Sequence, residues 1–168
     1  MAARALPLLV LFPLAGAVSA PAAAITQNAT VNANVSRPLT LSAQQSLNLG
    51  TIVLNLGTWA STKAGISRNG VFTCGANLVC SGAPQVAQFK VTGTNKMVVL
   101  ITAPNVTLVN QSDPTQKLTL VVDNPGQITL TSSGEPGVTF PLGGSITLSS
   151  TTGGGLYTGT LNVSVDYQ

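Results

Sequence analysis

The chain reads as an all-β protein, a sandwich or barrel of about ten short strands, and three observations carry that reading. Charged residues make up only 7% of the sequence, against roughly 25% in soluble domains at large, and Thr, Ser, Asn and Gln supply the polarity instead. Apolar and polar residues alternate over short runs that Gly, Pro and Asn punctuate, the period of a half-buried strand. Only Thr58 to Ile66 looks remotely helical, and Gly65 weakens it. Disorder does not fit a chain that is 44% hydrophobic with a low net charge.

The first residues read as an export signal. Arg4 is the positive start, Ala5 to Val18 the apolar stretch, and small residues follow, with cleavage expected after Ala24 because Pro21 disfavours Ala20. The run is shorter than a ~20-residue membrane span and contains Pro7 and Pro13; no later stretch is apolar enough to span a bilayer. The expected division is a signal peptide over 1–24, an N-terminal arm over 25–36 and one domain over 37–168.

The arm alternates almost without a break. Ile25, Ala29, Val31, Ala33 and Val35 fall on one face, and Thr26, Asn28, Thr30, Asn32, Asn34 and Ser36 on the other. Pro38 interrupts the ladder, so the first body strand is expected at 39–43. Further strands are expected at 47–55, 71–74, 86–92, 97–103, 105–109, 117–122, 127–131, 137–141 and 145–149, with turns at Arg68-Asn69-Gly70, Asp123-Asn124-Pro125-Gly126 and Gly134-Glu135-Pro136-Gly137. The glycines within 142–144 and 153–155 also read as turns, since neither stretch opens a helix as a phosphate loop would. The last strand places Gly155, Tyr157, Gly159, Leu161, Val163, Val165 and Tyr167 in one register, after a flexible Gly153-Gly154-Gly155 lead-in.

Cys74 and Cys80 are expected to pair in an oxidising compartment and to close a short hairpin-like loop at Gly75-Ala76-Asn77. A metal site would lack partners, because the sequence contains no His and no third Cys. Without His, the common general base and the Ser-His and Cys-His nucleophile pairs are missing too. The carboxylates are Asp113, Asp123, Glu135 and Asp166, two of them beside Pro in turns, so no catalytic residue, metal or cofactor is expected. The net charge of +3 falls to +2 once Arg4 leaves with the signal, and Lys63, Arg68, Lys90, Lys96 and Lys117 are scattered, which excludes a nucleic-acid footprint. Asn-x-Ser/Thr triplets at Asn28, Asn34, Asn105, Asn110 and Asn162 read as chance products of an Asn- and Thr-rich chain.

Two segments carry a family resemblance. Ala87-Gln88-Phe89-Lys90-Val91-Thr92-Gly93 and Gly143-Gly144-Ser145-Ile146-Thr147-Leu148, followed by Gly155 through Tyr167, resemble exported proteobacterial proteins grouped as domain of unknown function 4402. Leu47-Asn48-Leu49-Gly50-Thr51-Ile52 looks like the early strand motif of that family, with Leu49 where an aromatic is usual and Leu161 in place of a common Phe. The family is similar in turn to spore-coat-like secreted subunits and to pilins of the chaperone–usher pathway; the last strand of those pilins alternates, ends on a penultimate Tyr and carries a Gly fourteenth from the end, and Tyr167 and Gly155 match.

The resemblance implies an immunoglobulin-like, pilin-like β-sandwich that lacks one strand, with the 25–36 arm as donor strand and the C-terminal strand (Gly155, Leu161, Val163, Val165, Tyr167) as the pairing site of a periplasmic chaperone. Its expected partners are copies of itself or related subunits, with a chaperone and an outer-membrane usher in transit. Its expected location is the periplasm, then the cell surface or an extracellular fibre. The other reading is a monomeric secreted or periplasmic binding module or adhesin, for which Trp59, Tyr157 and Phe72 are the aromatic candidates.

Overall fold

The computed structural model describes residue 27 and residues 29–168, and every strand in it falls within a compact unit running from Val35 to Gln168. The expected signal peptide and Ile25 lie outside the described residues. Residues 29–36 form no strand and are exposed.

The strands are β1 (Thr40–Gln45), β2 (Thr51–Leu54), β3 (Thr62–Ile66), β4 (Phe72–Cys74), β5 (Leu78–Ser81), β6 (Ala87–Thr92), β7 (Val98–Thr102), β8 (Val106–Asn110), β9 (Lys117–Asp123), β10 (Gln127–Thr129), β11 (Val138–Leu148), β12 (Tyr157–Thr158) and β13 (Ser164–Tyr167). The described residues contain no helix, and all pairing is antiparallel: the protein is an all-β sandwich. The largest sheet has the order β1-β6-β11-β9-β8-β12, with β3 added to β11 and β4 to β3. It faces two smaller sheets, β10-β7-β13 and β2-β5, across two hydrophobic clusters.

Alternation in the sequence explains both clusters. Ala87, Phe89 and Val91 of β6 point inward, and Gln88, Lys90 and Thr92 are only partly buried. Phe89 lies opposite Phe140 of β11, the two rings stacked with centroids 5.9 Å apart. With Val99, Ile101, Leu130 and Leu142 they make the first cluster. Truncating a fully buried residue such as Phe140 would cost about 3–5 kcal/mol. The second cluster gathers Ala64, Leu78, Val106, Leu120, Ile146 and Leu148. Leu47, Val122 and Leu161 pack against both, so the core is continuous.

Four details correct the sequence reading. The stretch thought helical contains β3, which fits between β11 and β4 with Ala64 and Ile66 buried. Gly143 and Gly144 form no turn but lie inside the eleven-residue β11, which pairs with β6 in its first half and with β3 and β9 in its second. A Cβ on Gly143 would come within 2.5 Å of the Arg68 backbone nitrogen, so glycine is needed for close approach of two chains. The strand expected from residue 47 begins at Thr51, preceded by an isolated bridge between Asn48 and Gln85.

The fourth correction concerns the disulfide. Cys74 and Cys80 are bonded, as expected, but β4 and β5 do not form a hairpin. β4 pairs with β3 and β5 with β2, so the bond ties the large sheet to a facing one. Asn77 in the intervening loop has φ +63°, a left-handed conformation that Asn tolerates better than most residues.

Candidate functional site

The sandwich is not closed along one side. Two edge strands, β1 of the large sheet and β13 of the β10-β7-β13 sheet, each have a neighbour on one side only. Between the segment that continues from β1 and the C-terminal segment that leads to β13 opens a groove of about 660 Å³. Its first wall carries Leu47, Leu49, Ile52 and Leu54. Its floor is core: Phe89, Leu108, Leu118, Leu120, Ile146 and Leu148. The second wall is the run from Thr152 to Leu161. Its lining among the described residues is apolar and uncharged polar, with Gln45, Ser46, Asn48 and Thr160 beside the leucines.

The second wall supplies backbone hydrogen-bonding groups. β12 pairs with β8, and β13 with β7, so the C-terminal segment changes sheets over Gly159 to Val163 and is not the single strand its alternation predicts. Among the described residues, Thr160, Leu161 and Asn162 have no backbone partner. The alternation itself is kept: Leu161, Val163, Val165 and Tyr167 are half-buried against the core, and Asn162, Ser164 and Asp166 are exposed. A row of free backbone groups beside an apolar trough is the geometry that accepts an added strand.

The groove wall is anchored by Asn110, which stands out in the sequence only as part of an Asn-x-Ser/Thr triplet. Asn110 is 1% exposed. Its Nδ2 donates to the Gly154 carbonyl at 2.9 Å, and its Oδ1 accepts from the backbone of Ser112 at 2.9 Å and Asp113 at 3.3 Å. Tyr157 donates its hydroxyl to the Gly153 carbonyl at 2.7 Å. Gly155, with φ +143°, lies so close to Asn110 that a Cβ would stand 2.5 Å from Oδ1. Glycine is therefore required there by contact and by backbone conformation together. Buried and fully engaged, Asn110 is closed to glycan attachment.

The other end is pinned by the penultimate residue. Tyr167 donates its hydroxyl to the Arg37 carbonyl at 2.6 Å and accepts from the Thr94 backbone at 2.8 Å. Arg37 in turn donates its N–H to Thr94 Oγ1 at 2.7 Å. The root of the first strand and the tip of the last are thus tied at one place.

Of the expected donor-strand residues, Ala29, Val31, Ala33 and Val35 are exposed, Val31 at 88% and Val35 at 84%. Of the aromatic candidates for a binding face, only Tyr157 lines the groove; Trp59 packs on the second cluster with Nε1 donating to the Asn55 carbonyl, and Phe72 sits on β4. The four carboxylates are dispersed. Asp113 holds Thr115 in a turn, Asp123 accepts from the Arg68 backbone, Glu135 pairs with Lys90, and Asp166 lies on β13.

The stretch from residue 39 to residue 167 matches the model of a family described as a domain of unknown function (DUF4402), and the chain belongs to that family. The match takes in every strand from β1 to β13 and both groove walls, while the arm precedes it. No curated protein and no solved structure matches the chain.

Proposed function

We propose that this DUF4402 protein is an exported structural subunit of a bacterial surface fibre, assembled by β-strand complementation. The observation that carries the reading is the pairing, in one chain, of an open apolar groove edged by unpaired backbone with an exposed arm of matching alternation. The arm of one copy enters the groove of the next, its Ile25, Ala29, Val31, Ala33 and Val35 facing the Leu-rich floor and its backbone extending the C-terminal segment. Burying Val31 or Val35 contributes about 1.5–3 kcal/mol each before ordering costs. A groove of this kind is an aggregation hazard in a free subunit, which is the reason a periplasmic chaperone would cover it until an usher-guided exchange. The domain is immunoglobulin-like in this scheme, completed by the incoming strand. The scheme includes no enzymatic step.

The test compares the full mature chain with a chain lacking residues 25–36. The intact protein should form linear assemblies visible by electron microscopy, and the shortened one should remain unassembled. Assembly unaffected by the deletion would refute the reading. The second reading, a monomeric binding module, draws on the groove volume, which falls in the range of small-ligand sites. It requires a stable monomer whose groove takes up an apolar ligand.

A further inference from the structure

We infer that Tyr167, Thr94 and Pro38 act together as a device that prevents the arm from filling the groove of its own chain, so that its partner must be a second copy. The inference rests on the strand-complementation reading and specifies its partner.

The groove lies beside the far end of β1, at Ala43 to Leu54, whereas the arm joins β1 at its near end, at Arg37. To enter its own groove, the arm would have to run antiparallel to β1 and reverse direction over residues 37 to 39. The two-residue hairpin turns that allow this are both blocked. One needs positive φ at both central residues, which Pro38 cannot adopt; the other needs Gly at the first of them, which is Arg37. Arg37 does not have positive φ.

A wider reversal through residues 37 to 39 would need Arg37 to move, and its backbone is already committed. Its N–H is bonded to Thr94 Oγ1 and its carbonyl to Tyr167. The Tyr167 hydroxyl also stands within contact of Gly93, where a side chain would displace it, and it accepts the Thr94 N–H. Releasing Arg37 costs two hydrogen bonds, one to Thr94 Oγ1 and one from the Tyr167 hydroxyl. Each such loss shifts an equilibrium by up to about tenfold. Cis insertion is disfavoured accordingly, and trans insertion, which leaves Arg37 where it is, is not.

The test is backbone hydrogen exchange on the full mature chain over a dilution series, compared with a Tyr167→Phe/Pro38→Gly variant, which keeps the aromatic ring. In the native chain, residues 29–35 and 160–162 should gain protection together and only as concentration rises. In the variant, both should be protected at the highest dilution, and the concentration needed for assembly should rise at least about tenfold. Arm protection in the dilute native chain, or a variant indistinguishable from it, would overturn the inference. A Thr94→Val/Pro38→Gly variant leaves the C-terminal strand intact and is held to the same outcomes if the first fails to fold. Should the arm gain no protection in any chain at any concentration, the strand-complementation reading fails, and this inference with it. That pattern differs from a failure of the clamp alone.

Discussion

Replacing Gly155 by Ala isolates the contact that anchors the groove wall. The new Cβ would stand 2.5 Å from Oδ1 and 2.6 Å from Nδ2 of Asn110, a side chain 1% exposed and held by three hydrogen bonds. Asn110 cannot swing away without leaving buried groups unpaired, at about 1–3 kcal/mol, and φ +143° adds strain of about 1–3 kcal/mol for any residue with a Cβ. The expected total is about 2–6 kcal/mol. At a urea dependence of about 2 kcal/mol per molar, that lowers the unfolding midpoint by roughly 1–3 M. A double-mutant cycle with Asn110→Ala separates the two contributions. Without the Asn110 side chain, Gly155→Ala should keep only its backbone strain, so the two substitutions should couple by about 1 kcal/mol or more. Strict additivity, or a midpoint unchanged by Gly155→Ala, would refute the account of why glycine stands at this position.

Three further outcomes are expected. Replacing Cys74 and Cys80 together by Ser should lower stability by about 2 kcal/mol, the cost of opening so short a loop, and non-reduced peptide mapping of the native protein should find the two linked. Val31→Asp should leave export and folding intact but abolish assembly in sedimentation assays, because an unpaired carboxylate in an apolar groove costs several kcal/mol. Glu135→Gln should shift stability by less than about 1 kcal/mol in the same urea assay, since its pair with Lys90 is largely solvated on the glutamate side.

Much of the sandwich was legible because its strands are amphipathic at short range. β6 announces itself in Ala87, Phe89 and Val91, and the C-terminal register in Leu161, Val163, Val165 and Tyr167, because a period of two needs only local sequence. What stayed hidden depends on distant neighbours. Gly143-Gly144 looks like a turn until the Ile66–Arg68 backbone is seen to cross it. β3 carries Ala64, Gly65 and Ile66 side by side on a strand buried between two others, so its sequence lacks alternation. The groove was foreseen only through family resemblance; its floor comes from four strands, β6, β8, β9 and β11, whose convergence no local pattern encodes. The anchoring roles of Asn110 and Arg37 stayed hidden for the same reason. Each works through a partner, Gly154 or Tyr167, 44 or 130 residues away along the chain.

The most direct test of strand exchange is cross-linking in a mixture of isotopically light and heavy chains, each carrying a photoreactive diazirine amino acid in place of Val31. After assembly and illumination, position 31 should be joined to groove residues such as Leu47, Leu118 or Leu161, and light–heavy pairs should occur in the statistical proportion for contacts between chains. Cross-links that reach the groove only within chains of one label, or that never reach it, would contradict the account.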